Sequence, residues 1–125
     1  MPRVLLVEDE ETVRLLYQQE LQERGYEVVC ARDGRMAVQL AREVSPDVVI
    51  MDINLPEQMD GLESMSRILS HDRSVPVIIN TGYGEYKDNF KSWMADAYVV
   101  KTADVRPLMQ AVQDVLRSKG VAPKA

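Results

Sequence analysis

The sequence predicts an α/β fold in which a five-stranded parallel sheet carries helices on both faces. Two observations support it: short apolar runs recur along the chain, and segments with helical periodicity follow them. The runs are VLLV (4–7), VVCA (28–31), VVIM (48–51), VII (77–79) and YVV (98–100). Their apolarity is continuous rather than alternating, which is typical of parallel strands covered on both faces. Right-handed crossovers between such strands produce a (βα)5 doubly wound architecture.

Helical periodicity marks the segments after these runs. Apolar residues recur at intervals of three and four, which places them on one face of a helix. The stripes that we expect in the core are Val13, Leu16 and Leu21; Ala37, Leu40, Ala41 and Val44; Leu62, Met65 and Leu69; and Val105, Leu108, Met109, Val112 and Leu116. Asp104 is expected to be the N-cap of the last helix. Gly84 and Asn89 weaken the helical signal at 84–94, where we expect a short fourth helix.

Length and composition predict a single globular domain. The chain has 125 residues, 46% hydrophobic and 28% charged, a balance typical of folded proteins. We expect the domain to span residues 1–120 and a C-terminal tail to follow at 121–125. A net charge of −5 argues against nucleic-acid binding, which usually needs a clustered basic surface. We expect a cytoplasmic protein without membrane insertion, because no apolar segment approaches roughly 20 residues and the N-terminus lacks a signal-peptide pattern.

Charged and polar residues stand where four of the predicted strands end. Glu8 and Asp9 are at the end of the first strand, Asp52 of the third, Thr81 of the fourth and Lys101 of the fifth. Parallel strands bring these residues to one edge, and doubly wound folds bind ligands beyond that edge. Two ionised carboxylates about 4 Å apart repel each other by roughly 4 kcal/mol at an effective dielectric constant of 20. Lys101 and a magnesium ion, which prefers oxygen ligands, would offset this repulsion.

An aspartate beside Mg²⁺ and a lysine can attack phosphorus, because the two cations neutralise the charge that spreads over the phosphoryl oxygens. Asp52 is therefore expected to be a nucleophile that becomes an acyl phosphate. Each residue alone has a simpler interpretation. Glu8 or Asp9 could favour the positive end of the first helix, Thr81 could be an ordinary strand-end residue, and Lys101 could be solvated. The acidic pair together with Asp52 favours a metal site.

The motifs LLVEDE, VVIMDINLP, MDGLE, PVIINTG and YVVK occur in this order on the (βα)5 pattern. With them, residues 3–119 resemble the response-regulator receiver domains of two-component signalling, and in particular chemotaxis regulators. The resemblance implies a flavodoxin-like strand order, 2-1-3-4-5. It also implies a phosphoacceptor site that depends on Mg²⁺.

Carried over to this chain, the resemblance implies a role for each residue of the metal site. Asp9 would be a direct ligand of Mg²⁺, and Glu8 would act through water. Asp52 would be the phosphoacceptor and a further ligand. Asn54 would offer its backbone carbonyl to the metal.

The resemblance also implies which residues contact the phosphoryl group and respond to it. The Thr81 hydroxyl and the Lys101 ammonium would hold the phosphoryl oxygens. Tyr98 would turn inward once Thr81 has moved, although a half-buried strand tyrosine is also common without such a role. Our hypothesis for Tyr83 is that its ring limits the access of water to the site.

Two departures from the family pattern concern loops near the site. Lys101 is followed by Thr102 where the family usually has proline, often after a cis peptide. A cis bond without proline costs about 3 kcal/mol, so we expect this peptide to be trans. Glu57 and Gln58 stand where one residue is usual, an insertion that a loop tolerates at little cost.

The function that the resemblance implies is that of a switch rather than an enzyme. The domain would take a phosphoryl group from the phosphohistidine of a sensor histidine kinase or a histidine phosphotransfer protein, and would assist its own phosphorylation and dephosphorylation. Its face around the fourth helix, fifth strand and fifth helix would then change its affinity for an unknown downstream protein. A phosphorylation-dependent homodimer is compatible with this scheme.

Three other functions are compatible with parts of this pattern. The first is a receiver-like interaction module that is never phosphorylated. The second is a phosphatase of the haloacid-dehalogenase type, which is disfavoured because Asn54 cannot act as the general acid that such enzymes place two residues after the nucleophile. The third is a flavin carrier, which is disfavoured because the first loop, VEDEETV, is anionic and lacks glycine.

Overall fold

Five strands and four helices form the described part of the computed structural model, which comprises residues 1–52, 61–82 and 95–120. The strands are β1 (Arg3–Val7), β2 (Glu27–Ala31), β3 (Val48–Met51), β4 (Val77–Thr81) and β5 (Ala97–Val100). The helices are α1 (Glu11–Glu23), α2 (Gly34–Val44), α3 (Gly61–His71) and α4 (Arg106–Ser118). The predicted fourth helix at 84–94 and the predicted tail at 121–125 lie outside the described residues. Helix α4 is therefore the fifth helix of the sequence prediction.

The five strands are parallel and form one sheet in the order β2-β1-β3-β4-β5, which confirms the predicted order. The chain moves from β1 to β2 on one side and then returns to place β3 on the other side of β1. This reversal of direction lies between the carboxyl ends of β1 and β3, where doubly wound folds form a binding crevice. Register pairs Val7 with Met51, so the two strands end level with each other.

Successive residues of the strands point to opposite faces of the sheet and pack in two separate core layers. On one face Leu5, Val49 and Ile79 pack with buried residues of α2 and α3. On the other face Leu6 and Ile50 pack with buried residues of α1 and α4. All four residues of β3 are buried, because each face of this central strand is covered by a helix layer. The prediction of a sheet covered on both sides is confirmed.

One predicted core position of α1 is wrong. Leu16 is 45% exposed, whereas its neighbour Tyr17 is only 4% exposed. The side of α1 that packs on the core carries Tyr17 and Leu21, which are buried, and Val13, which is partly buried; these residues are spaced by four. Leu16 precedes Tyr17 by one residue, about a quarter of a turn, and so points away from the sheet. Within the described ranges, no helix is long and apolar enough to cross a membrane.

The start of α4 also differs by one residue from the prediction. The helix begins at Arg106, and the residue before it, Val105, already has helical dihedral angles. The carboxylate of Asp104 nevertheless accepts a hydrogen bond of 3.0 Å from the backbone N–H of Arg106 and binds its guanidinium. These side-chain and backbone hydrogen bonds lower the pKa of Asp104 to about 2. Asp104 therefore supports the helix start from one position further out.

Helix α2 begins with a side-chain cap that supports a stability prediction. Asp33 is the N-cap, and its carboxylate accepts a hydrogen bond of 2.8 Å from the backbone N–H of Met36. Replacing Asp33 with alanine is expected to lower the free energy of unfolding by about 1 kcal/mol, measured by urea denaturation. Asp33→Asn keeps an oxygen acceptor and should stay close to the parent. Equal losses in the two variants would show that the cap is not the cause.

Candidate functional site

The residues that follow β1, β3 and β5 are held at one edge of the sheet by main-chain hydrogen bonds. The N–H of Glu8 donates to the carbonyl of Ala31 at 3.0 Å, and the N–H of Asp52 donates to the carbonyl of Val7 at 3.2 Å. The N–H of Lys101 donates to the carbonyl of Thr81 at 2.7 Å. The ladder of the sheet thus continues one residue past the strand ends. It brings together side chains that are far apart in the sequence.

Three carboxylates meet at this edge. Glu8, Asp9 and Asp52 each have a carboxylate oxygen that lies within 4.8 Å of the other two. Glu8 and Asp52 are only 2% and 4% exposed, whereas Asp9 is exposed. An all-oxygen set of this size fits a hard divalent cation such as Mg²⁺, which binds through one or two carboxylates and keeps several waters. Of the predicted metal-site residues, Asn54 lies outside the described part of the chain.

Lys101 bridges the two buried acids. Its Nζ atom lies 2.6 Å from Oε1 of Glu8 and 2.9 Å from Oδ2 of Asp52. Burial by itself would lower the pKa of Lys101, but the hydrogen bonds to Glu8 and Asp52 outweigh it and raise the pKa above its usual value. Burial raises the pKa of Glu8, although its contact with Lys101 acts in the opposite direction. One ammonium therefore offsets part of the repulsion that the sequence predicted.

The two members of the acidic pair differ in their surroundings. Both oxygens of Glu8 are engaged, since Oε1 contacts Lys101 and Oε2 accepts a hydrogen bond of 3.2 Å from the N–H of Glu10. Asp9 presents an exposed carboxylate to the same space. This difference agrees with the expectation that Asp9 contacts a metal directly and Glu8 acts through water. The roles themselves remain predictions.

Comparison with known proteins identifies the chain. The family model of the response regulator receiver domain matches residues 4–113. The chain belongs to this family. A receiver domain of two-component systems thus accounts for the parallel sheet and for the acidic edge described above.

Relatives and solved structures agree with the family match. The regulatory protein AtoC of Escherichia coli (strain K12) is 38% identical over 117 residues, which cover 92% of this chain and 25% of AtoC. Response regulator TrrA of Thermotoga maritima, solved in complex with Mg(2+)-BeF, has a TM-score of 0.87 and 37% identity, and the match covers 93% of this chain and 100% of that one. TrrA in complex with the histidine kinase ThkA has a TM-score of 0.84 and 37% identity, with 93% and 99% coverage. The receiver domain spans between a quarter and just over half the length of its curated relatives.

Thr81 and Tyr98 occupy the two strands beside the acidic edge. Thr81 is the last residue of β4 and is fully buried. Tyr98 is half-buried on β5, pairs in register with Ile79, and packs against the core layer of α2 and α3. The two predicted switch residues therefore lie on adjacent strands. Tyr83, the predicted access residue, lies outside the described residues.

The Lys101–Thr102 peptide is trans, as expected, since the described residues contain no cis peptide bond. The Thr102 hydroxyl donates a hydrogen bond of 3.0 Å to the carbonyl of Asp104 and accepts one of 3.2 Å from its N–H. A threonine-stabilised turn thus stands where the family usually has proline. The ammonium of Lys101 still reaches Asp52.

Sequence reasoning missed one residue that contacts the acidic edge. Nη1 of Arg14, on α1, donates a hydrogen bond of 3.1 Å to the carbonyl of Glu8 and a longer one of 3.4 Å to the carbonyl of Asp9. A signal for it exists in the sequence. A cation four residues into a helix is unfavourable for the positive end of the helix dipole, so its presence there suggests a contact outside the helix.

Proposed function

We propose that this receiver domain is a phosphoacceptor switch in a two-component phosphorelay. Asp52 would accept a phosphoryl group from a phosphohistidine of a sensor histidine kinase or a histidine phosphotransfer protein. The observation that carries the proposal is the position of Asp52: nearly buried, 2.9 Å from the ammonium of Lys101, and within 4.8 Å of carboxylate oxygens of Glu8 and Asp9. The solved complex of the related TrrA with the kinase ThkA supports a kinase as the partner.

In the proposed transfer, a carboxylate oxygen of Asp52 forms a bond to phosphorus while the bond between phosphorus and the histidine nitrogen breaks. The imidazole of the partner leaves with the electron pair of that bond, and Asp52 becomes an acyl phosphate. Lys101 would exchange its contact with Asp52 for one with a phosphoryl oxygen. The hydroxyl of Thr81, at the adjacent strand end, would hold a second phosphoryl oxygen. The protein thereby assists its own phosphorylation and acts as a signalling switch rather than as an enzyme.

The three carboxylates of the acidic edge are the proposed holders of Mg²⁺. Asp9 and Asp52 would bind the ion directly, Glu8 through water, and Asn54 through its backbone carbonyl. When bound, Mg²⁺ would neutralise the charge on the oxygens of the transferred phosphoryl group. The chemistry of the donor set supports this proposal, as does the Mg(2+)-BeF complex of TrrA.

The proposed output is a shift between two arrangements of the face around β5 and α4. The predicted fourth helix of this face lies outside the described residues. Thr81 would respond to the phosphoryl group and Tyr98, on the neighbouring strand, would follow it inward. The changed face would bind a downstream protein or a second copy of the chain. The curated relatives are longer than this chain. The proposed change of partner binding therefore concerns the receiver domain, and any effect on further domains of a longer protein is also a proposal.

A mass measurement tests the proposed phosphorylation. Incubation with acetyl phosphate and Mg²⁺ should add the mass of one phosphoryl group to the parent and none to Asp52→Asn, as determined by intact mass spectrometry. Asp114→Asn is the matched control, because Asp114 is an exposed aspartate on α4 that binds only Gln110 among the described residues. It should be phosphorylated like the parent. Chelating the Mg²⁺ should abolish the mass gain.

Two outcomes would contradict the proposal. A mass gain that persists in Asp52→Asn would place the phosphoryl group on another residue. No mass gain in the parent would instead favour the alternative, a receiver-like interaction module that works without phosphorylation.

A further inference from the structure

Arg14 of α1 contacts the main chain that carries the acidic pair. Its Nη1 atom donates to the carbonyl of Glu8 at 3.1 Å and to that of Asp9 at 3.4 Å. The side chain is partly buried. Burial raises the pKa of Cys30, on β2, and the charge of Arg14 acts in the opposite direction. The guanidinium therefore lies at the carboxyl edge of the sheet. It does not extend freely into solvent.

Local helix stability does not account for an arginine at this position. Arg14 is the fourth residue of α1, and its own N–H bonds the carbonyl of Glu10 at 2.9 Å in the first turn of the helix. A cation there opposes the positive end of the helix dipole. Residues that violate a local rule are expected where a functional site needs them. The hydrogen bonds of Arg14 to the carbonyls of Glu8 and Asp9, in the loop between β1 and α1, compensate for its unfavourable interaction with the helix dipole.

Glu8 and Asp9 differ in how much they depend on this contact. The carboxylate of Glu8 is already held at both oxygens by Lys101 and by the N–H of Glu10. Asp9 is exposed, and the hydrogen bond that ties it to the described residues is the one from Arg14 to its carbonyl. The orientation of the Asp9 carboxylate therefore depends on a main chain that Arg14 holds.

We propose that Arg14 is a positioning residue of the acidic edge, which fixes the Glu8–Asp9 main chain and so orients the Asp9 carboxylate that would bind a divalent cation. The inference rests on the proposed function, because it assumes that the three carboxylates bind Mg²⁺. Groups that orient metal ligands without touching the metal typically change metal affinity by about 10- to 100-fold when they are removed.

Loss of the charge of Arg14 and loss of its hydrogen bonds are expected to change the affinity for Mg²⁺ in opposite directions. A guanidinium near the site repels a cation, so loss of the charge alone would tighten binding. Loss of the hydrogen bonds would loosen the loop and weaken binding. Arg14→Met removes both, whereas Arg14→Lys keeps the charge and a donor. The direction of the change in Arg14→Met therefore shows which effect is the larger.

The experiment is a calorimetric titration of the full chain with MgCl₂ at constant ionic strength. Arg14→Met is expected to raise the dissociation constant by about 10- to 100-fold, and Arg14→Lys by an intermediate factor. The matched control is Arg24→Met, which removes an arginine that follows α1 and binds Glu20 at 2.6 Å. Its dissociation constant should stay within about twofold of the parent, as expected for a residue outside the metal site.

A second readout needs no metal. The N–H of Glu10 is held by the Glu8 carboxylate at 3.2 Å, so a loosened loop exposes it. In Mg²⁺-free buffer its hydrogen exchange, followed by NMR, should be at least several-fold faster in Arg14→Met than in the parent or in Arg24→Met.

Unchanged or tighter Mg²⁺ binding in Arg14→Met would overturn the inference. If the parent binds no Mg²⁺, the proposed function fails. The hydrogen exchange of the Glu10 N–H is then the one remaining test of whether Arg14 orders the loop. An unchanged exchange rate in Arg14→Met would show that Arg14 does not order this loop. A faster exchange rate in Arg14→Met would show that Arg14 orders the Glu8–Asp9 main chain even though no metal binds there.

Discussion

Replacing Lys101 with methionine is expected to lower the free energy of unfolding by about 3–5 kcal/mol at neutral pH. The ammonium of Lys101 lies 2.6 Å from Glu8 and 2.9 Å from Asp52, both nearly inaccessible to solvent. Methionine fills a similar space but leaves two buried carboxylates without their cation. Urea denaturation followed by circular dichroism measures the loss.

A double variant separates the charge effect from packing. The double variant Lys101→Met/Glu8→Gln should recover a large part of the lost free energy of unfolding, because one of the two buried carboxylates without a cation has been replaced by a neutral amide. Lys119→Met is the matched control: Lys119 lies 3.7 Å from Asp96 in an exposed pair, which should contribute less than about 1 kcal/mol. A double variant no more stable than Lys101→Met would contradict the electrostatic explanation.

The pH dependence of the parent follows from the same contacts. The pKa of Lys101 is raised in the folded protein, so its contribution to stability is complete below the unfolded pKa of about 10.5. The contribution is lost as the pH rises through the higher pKa of the folded state. Alkaline pH should therefore destabilise the parent in this window more than it destabilises Lys101→Met.

Magnesium is expected to stabilise the folded parent. A cation that binds only the folded state raises the free energy of unfolding by about 2.7 kcal/mol when its free concentration is 100 times the dissociation constant. Glu8, Asp9 and Asp52 come within 4.8 Å of one another through three-dimensional folding, so the unfolded chain offers no equivalent site. Urea denaturation with and without MgCl₂, at constant ionic strength, measures the gain.

Asp9→Asn is the variant that tests this source of the gain. Asp9 is exposed, so the change should scarcely affect the protein without Mg²⁺ but should remove most of the stabilisation by Mg²⁺. Asp104→Asn removes another exposed carboxylate, one that is bound to Arg106, and should keep the full gain. An equal gain in the parent and in Asp9→Asn would show that Mg²⁺ binds elsewhere on the protein.

Much of the site could be predicted because parallel strands impose a simple geometry. Glu8, Asp52 and Lys101 each stand directly after a strand, and all strands of a parallel sheet end at the same edge. Reading the strands therefore predicted which side chains meet. The bounds predicted for the third strand, 48–51, agree with β3 because an apolar run buried on both faces ends sharply at its first charge.

Helix faces were predicted less well than strand ends. Leu16 and Tyr17 are both apolar enough to be buried, and periodicity alone did not separate two faces of α1 that differ by a quarter of a turn. Only the angle at which α1 lies on the sheet decided that Tyr17 enters the core and Leu16 stays exposed. The contact of Arg14 with the Glu8 and Asp9 carbonyls depends on the same angle.

The sequence by itself determined the succession of the described strands and helices along the chain, the family, and the set of charged residues at the carboxyl edge, because these depend on local patterns and on the direction of parallel strands. The tertiary structure alone decided how the charges are paired. Lys101 contacts both Glu8 and Asp52, while Asp9 remains exposed. Such pairing depends on distances of a few ångströms between side chains on different strands, and these distances are set by packing of the two core layers.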